Sequence, residues 1–138
     1  MTVQSLGYLV IESTNPKDWV KHMTEIVGAM PAGTGADGAE LYRIDDRAAR
    51  FRLVKSDTDR LAVVGWEMAD QAGFDNMVQK LKDAGRDVTM GDAASRGVAA
   101  LACSSDPAGN RFELFHGAHT AESAFASPAG VSGFVTGK

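Results

Sequence analysis

Three histidines, His22, His116 and His119, and one acid close to two of them, Glu113, are the side chains of this 138-residue chain whose types suit a metal ion. Imidazole nitrogen with carboxylate oxygen is the donor set of many zinc and iron sites. Their setting argues against ligation. His22 stands beside Lys21 on the flank of a predicted helix, and His116 and His119 straddle Gly117 at the end of a predicted strand. Strand alternation places Glu113 and His116 on opposite faces, so the two do not converge. Cys103 alternates with Leu101 and Ala99, the pattern of a small buried thiol, and no base adjoins it. Gly33, Gly35 and Gly38 lack the Lys-Ser or Lys-Thr that a phosphate loop requires and read as a turn. Asp45 and Asp46 fall between two predicted strands, where a solvated turn accounts for them.

The elements that would position any such site belong to one domain. Hydrophobic residues make up 44% and charged residues 23% of the chain, enough for one core and without a biased tract. A net charge of −4 gives no footprint for a phosphate backbone or an anionic lipid surface, so nucleic acid and membrane are not expected partners. The longest apolar stretches, such as Leu61 to Gly65 and Val98 to Cys103, fall far short of the roughly 20 residues of a spanning helix. Met1-Thr2-Val3-Gln4 does not begin a secretion signal and Cys103 is the single cysteine, so the chain is expected in the cytoplasm.

An internal repeat organises the chain. Asn15-Pro16-Lys17-Asp18 predicts a helix start, with Asn15 as cap and Gly28 as stop, and Trp19, Met23, Ile26 and Val27 form its apolar stripe. Asp70 begins a second helix, with Phe74, Met77, Val78 and Leu81 on its stripe and Gly85 past its end. Trp19 with Phe74, Met23 with Val78, and Ile26 with Leu81 share an offset of about 55 residues, the mark of a duplicated unit. At that offset the preceding strands also match, Leu6 to Glu12 with Leu61 to Glu67. Further on, Arg50-Phe51-Arg52-Leu53-Val54 matches Arg111-Phe112-Glu113-Leu114-Phe115 at an offset of about 61, so the second copy has gained a few residues in a loop.

Glu40 to Ile44 and Val98 to Cys103 supply further strands, with weaker ones near Met30 and Val88. Each copy thus reads strand, helix and about three strands. The predicted fold is α+β: two tandem β-α-β-β-β units paired about a pseudo-two-fold axis to enclose a cup. Residues 1–117 form the domain, with repeats at about 1–57 and 58–117, and 118–138 read as an arm or linker.

Several local sequences carry a family resemblance: Ser5-Leu6-Gly7-Tyr8, Leu41-Tyr42-Arg43-Ile44-Asp45, Gly65-Trp66-Glu67, the run Asp106-Pro107-Ala108-Gly109-Asn110-Arg111-Phe112-Glu113-Leu114-Phe115-His116-Gly117, and Gly133-Phe134-Val135-Thr136-Gly137. In that order they resemble the amino-terminal, metal-less domain of type I extradiol dioxygenases, within the vicinal oxygen chelate superfamily. The resemblance covers nearly the whole chain, and Phe134-Val135-Thr136-Gly137 is its most specific piece. It implies a parent oxidoreductase of aromatic catabolism that opens catechols of the dihydroxybiphenyl type with iron(II). Two His and one Glu of a carboxy-terminal catalytic domain, the implied partner beyond Lys138, would hold that iron.

The resemblance also implies a homo-oligomer, an aromatic substrate bound outside this chain, and no catalytic or metal-ligating residue within it. The vestigial ligand-equivalent positions are Tyr8, Val63 and Glu113, of which only Glu113 keeps a ligand-type side chain. The repeat adds Arg52 opposite Glu113, and the expectation is that Arg52 and Glu113 form an ion pair across the cup. The competing reading is a free-standing, metal-less small-molecule binding protein of the bleomycin-resistance type.

Overall fold

Both predicted helices and all eight strands appear in the computed structural model, which describes residues 2–131. The first unit comprises β1 (Ser5–Ser13), α1 (Pro16–Lys21) running into a π-helical turn at His22–Val27, β2 (Met30–Thr34), β3 (Glu40–Arg43) and β4 (Phe51–Lys55). The second comprises β5 (Arg60–Glu67), α2 (Gln71–Asp83), β6 (Thr89–Met90), a short α3 (Ala93–Arg96), β7 (Ala100–Ser105) and β8 (Arg111–His116). The strands form one sheet in the order β2-β3-β4-β1-β5-β8-β7-β6. Exchanging the two units reproduces that order, so the pseudo-two-fold passes between β1 and β5, which pair antiparallel. Each unit repeats one further pattern, a parallel pair of its first and last strands: β1 with β4, β5 with β8.

Strand alternation divides the sheet into two faces. One face meets the helices. Phe74 and Val78 of α2 pack with Leu114, Ala102 and Met68, and Met23 of the π-helical turn packs with Leu53, Tyr42 and Ala29. The other face lines the cup, where Tyr8, Val10, Val63, Val98, Leu101 and Phe115 form a third buried cluster.

The first helix departs from expectation in two ways. The side chain of Asn15 makes no cap bond; its carbonyl instead accepts from Asp18 N–H at 3.2 Å, which occupies a donor the side chain would have taken. Beyond Lys21 the helix widens to the i→i+5 pattern, and Gly28 N–H bonds back to the Met23 carbonyl. The wider wind keeps Met23 in the core but turns Ile26 out to 70% exposure, so Ile26 is not the partner of Leu81 that the repeat suggested. Gly28 does end the helix, at a φ of +79° that favours glycine.

The added residues of the second unit are located by α3, which was not expected. The connection 91–99 between β6 and β7 holds this short helix, whereas 35–39 in the first unit is a plain turn. Asp92 caps α3 by accepting from Ala94 N–H at 3.2 Å, and Gly97 closes it at a φ of +66°.

Candidate functional site

The floor of the cup is a stacked aromatic pair. The rings of Tyr8 on β1 and Phe115 on β8 lie 4.9 Å apart at 26°. Two strand glycines make room for it. A Cβ on Gly7 would collide with the Phe115 ring, and one on Gly65 would fall 2.5 Å from Tyr8. A glycine inside a strand where another group approaches closely is a readable signal, though neither position was singled out from the sequence.

Above the floor lies a relay of four charged side chains and one phenol, reaching from one unit to the other. Arg52 on β4, 3% exposed, donates to Asp37 at 3.0 Å and to the Ser95 carbonyl at 2.8 Å. Asp37 accepts in turn from Arg96 at 2.7 Å. Arg96, at the end of α3, donates two parallel bonds to Glu113, at 2.7 and 2.9 Å, the planar fork that arginine forms with a carboxylate. Glu113, 2% exposed, also accepts from the Tyr8 hydroxyl. The expected direct pair of Arg52 with Glu113 is therefore not made. Arg96 and Asp37 stand between them, because α3 delivers a second arginine into the middle of the cup.

The electrostatics follow from burial and these bonds. Burial, then the adjacent Glu113 carboxylate, push the Tyr8 phenol well above its ordinary value of 10.0. Tyr8 is therefore a hydrogen-bond donor at neutral pH. Hydrogen bonding to Glu113 raises Arg96 further above its already high value, against the opposing effect of burial. Burial disfavours the Asp37 carboxylate, but the bonds from Arg52 and from the Ala39 N–H outweigh it and hold Asp37 below 3.8. Cys103, half-buried on β7, has its thiol pushed up by burial and then by Glu113, which suits an inert thiol.

The three histidines lie apart from one another, and alternation foresaw the face of His116. His116 lies on the helix face, bonded to Gln71 at 2.8 Å and beside the Phe74 ring, away from Glu113. His22 is on the flank of the first helix against Trp19. His119 reaches the cup rim, where its N–H bonds to the Gly97 carbonyl. Among the described residues, no group of three or more His, Cys, Asp and Glu side chains converges.

Asp45 was expected in a solvated turn and is instead 7% exposed. The loop between β3 and β4 curls back, so Arg50 clamps its carboxylate at 2.6 and 2.9 Å while also donating to the Gly7 carbonyl at 2.8 Å. Arg47 beside it pairs with Glu67 at 2.7 Å.

The described part of the arm, residues 118–131, lies against the first unit. Ala48 N–H bonds to the His119 carbonyl, Ala121 N–H to Asp46, Arg43 to Ser123 at 2.9 Å, and Ser127 to the Gly28 carbonyl at 2.7 Å. It therefore straps the two units together. The Gly133-Phe134-Val135-Thr136-Gly137 motif lies outside the described residues.

Two β-α-β-β-β units related by a pseudo-two-fold axis around a cup define the vicinal oxygen chelate fold. A solved structure of a catechol 2,3-dioxygenase superposes with a TM-score of 0.87 over 93% of this chain and 45% of its own, at 30% identity. Residues 6–55 match the family model described as dihydroxybiphenyl dioxygenase BphC D1. The biphenyl-2,3-diol 1,2-dioxygenase of Paraburkholderia xenovorans LB400 is 42% identical across the whole of this chain and 47% of its own length. An iron-dependent extradiol dioxygenase of Rhodococcus jostii RHA1 is 37% identical with the same coverage. Over its whole length the chain is similar to the amino-terminal part of extradiol dioxygenases, with residues 6–55 matching their D1 model, and it spans about half the length of the curated relatives it matches.

Iron does not fit Tyr8, Val63 and Glu113, the positions expected as ligand equivalents. Val63 offers no donor atom, the Tyr8 hydroxyl keeps its proton, and the Arg96 guanidinium takes both oxygens of Glu113. A cation added there would meet a resident positive charge and lack the nitrogen and oxygen donors that iron(II) requires.

Proposed function

We propose that this chain is the non-catalytic, amino-terminal part of an iron(II)-dependent dioxygenase that opens catechols, of the dihydroxybiphenyl type, next to their hydroxyls. The iron and the reacting substrate belong to a carboxy-terminal catalytic domain, and the described domain contributes structure and assembly. One observation carries the reading: Tyr8 and Glu113, two of the three positions expected as ligand equivalents, are tied to each other and to Arg96. Those bonds satisfy one another within the chain, so its own role is to fold as a rigid unit beside the catalytic half. Exposed apolar side chains, Ile26 on the first helix, Leu61 on β5 and Met90 on β6, provide surface for that neighbour and for association of copies.

An anaerobic iron(II) titration followed by a catechol-cleavage assay tests this, on the 138-residue chain and on the product of its full reading frame. Stoichiometric iron and ring opening in the longer protein alone is the expected result. Iron binding and ring opening by the 138 residues would overturn it.

A further inference from the structure

The cup encloses a cavity of about 270 Å³, and its walls have a one-sided chemistry. Four arginines line it, Arg47, Arg50, Arg52 and Arg96, while none of the carboxylates that pair with them is among the lining residues. The acids lie behind the arginines, so the lumen meets N–H edges and apolar surface. We propose that this cup binds one small aromatic monocarboxylate, of benzoate size, with its ring on the Tyr8–Phe115 floor and its carboxylate toward Arg47 and Arg96.

Each part of that assignment rests on a separate feature. A guanidinium has five N–H donors; Arg96 spends three on Asp37 and Glu113, and Arg47 bonds through its two terminal nitrogens, leaving its Nε–H unspent among the described residues. Donors without acceptors in the wall call for an acceptor-rich ligand. Every one of the four arginines is already balanced by an acid, so the field is that of directed donors and not of free positive charge. That matches a singly charged carboxylate better than a phosphate. The volume lies just below the roughly 300–1,000 Å³ typical of drug-sized ligands, which leaves space for one ring and a small substituent. Leu41 and Val98 complete an apolar slot around the aromatic floor, and the strap at Ala118 and His119 covers one side. The proposal is independent of the ring-cleavage reading, since it needs neither iron nor a second domain.

The test is an amide ¹H–¹⁵N NMR titration of the labelled 138-residue chain with sodium benzoate at constant ionic strength, with acetate and catechol in parallel. Saturable shifts at Tyr8, Ser95, Gly97 and Phe115 are expected, with a Kd on the order of 1 mM or tighter. Arg47→Gln, which leaves the Arg52–Asp37–Arg96–Glu113 relay in place, should weaken binding about tenfold, the equivalent of one charge-assisted hydrogen bond. Ala94→Leu, which fills the slot, should abolish the shifts while the spectrum elsewhere reports an intact fold. Linear, unsaturated shifts would overturn the proposal. Equal affinity for acetate would remove the aromatic part, equal affinity for catechol the carboxylate part, and binding undisturbed in the Ala94→Leu chain would place the site elsewhere.

Discussion

The two units share an element order and differ in how each element is secured. In the second, α2 runs from Gln71 to Asp83, and Asp70 caps it with a side-chain bond to Gly73 N–H at 2.7 Å. In the first, the helix has no side-chain cap and unwinds into a π-helical turn within six residues. The cup shows the opposite division of labour. The second unit supplies Arg96 and Glu113, the first supplies Tyr8, Asp37 and Arg52, and each neighbouring contact of the relay except Arg96–Glu113 and Asp37–Arg52 crosses the boundary between units. The copies have therefore diverged in complementary directions. One position is arginine where its mate is glutamate, and Arg96, carried by α3, joins the two together with Asp37.

The largest break in this arrangement comes from the shared carboxylate. Glu113→Ala leaves the Arg96 charge without its fork partner and the buried Tyr8 hydroxyl without an acceptor. Removing one member of a buried pair typically costs about 3–5 kcal/mol, and urea unfolding should report a loss of that order. The double variant Glu113→Ala/Arg96→Ala should lose less than the sum of the two single ones, because neither partner is left alone. Strict additivity would mean that the fork contributes nothing specific.

Tyr8→Phe sharpens the comparison by cutting a bond that crosses between units while keeping the stacked ring. A hydrogen bond to a charged acceptor is worth about 1.5–3 kcal/mol, so the variant should lose stability in that range near pH 7. The sign of its pH dependence is fixed by the raised phenol. Above pH 10.0 the unfolded chain releases the Tyr8 proton and the folded chain retains it. The wild type thus keeps this contribution below that pH and loses it as pH rises, while the variant has no such term. The stability gap between the two should narrow in alkaline solution. A gap that widens there would contradict the donor role of Tyr8.

Helix capping gives a smaller and more direct contrast. Asp70→Ala removes a cap bond and should cost about 1 kcal/mol, whereas Asn15→Ala removes no side-chain cap and should cost a few tenths. Equal losses at the two positions would mean that the asymmetry between the helix starts is not real.

Much of this was legible in the sequence, and what was missed has common causes. The repeat was visible because burial enforces period in both units: Phe74 and Val78 on α2, Met23 on the first helix, and the paired Arg-Phe-x-Leu segments all read directly as faces. That Glu113 and His116 lie on opposite faces followed from alternation, and the resemblance then put Glu113 in the cup. Arg96 was missed because it lies in the inserted residues, where the repeat supplies no counterpart, and because four residues are too few for a helical pattern. Asp37 and Asp45 were assigned to turns, which they do occupy. Sequence position alone does not tell which side of a turn meets an arginine brought from elsewhere in the chain. The docking of 118–131 was hidden for a related reason: small residues such as Ser123 and Ser127 hold the strap through backbone and hydroxyl bonds that leave no apolar period.

Ile26 provides the finest test of how far the two units correspond. By the repeat it is the mate of Leu81, which packs beside the Phe74 cluster. By the structure it points to solvent, because a π-helical turn advances the chain by a smaller angle per residue and carries position 26 off the buried stripe. Ile26→Gln should therefore change stability by less than about 0.5 kcal/mol, the usual range for an exposed site. Leu81→Ala, in the α2 stripe, should cost more. If Ile26→Gln proved as damaging as Leu81→Ala in the isolated chain, the first helix would have to be wound as a regular α-helix through Val27. If it proved neutral here yet destabilising in the product of the full reading frame, the difference would report a neighbour covering that exposed face.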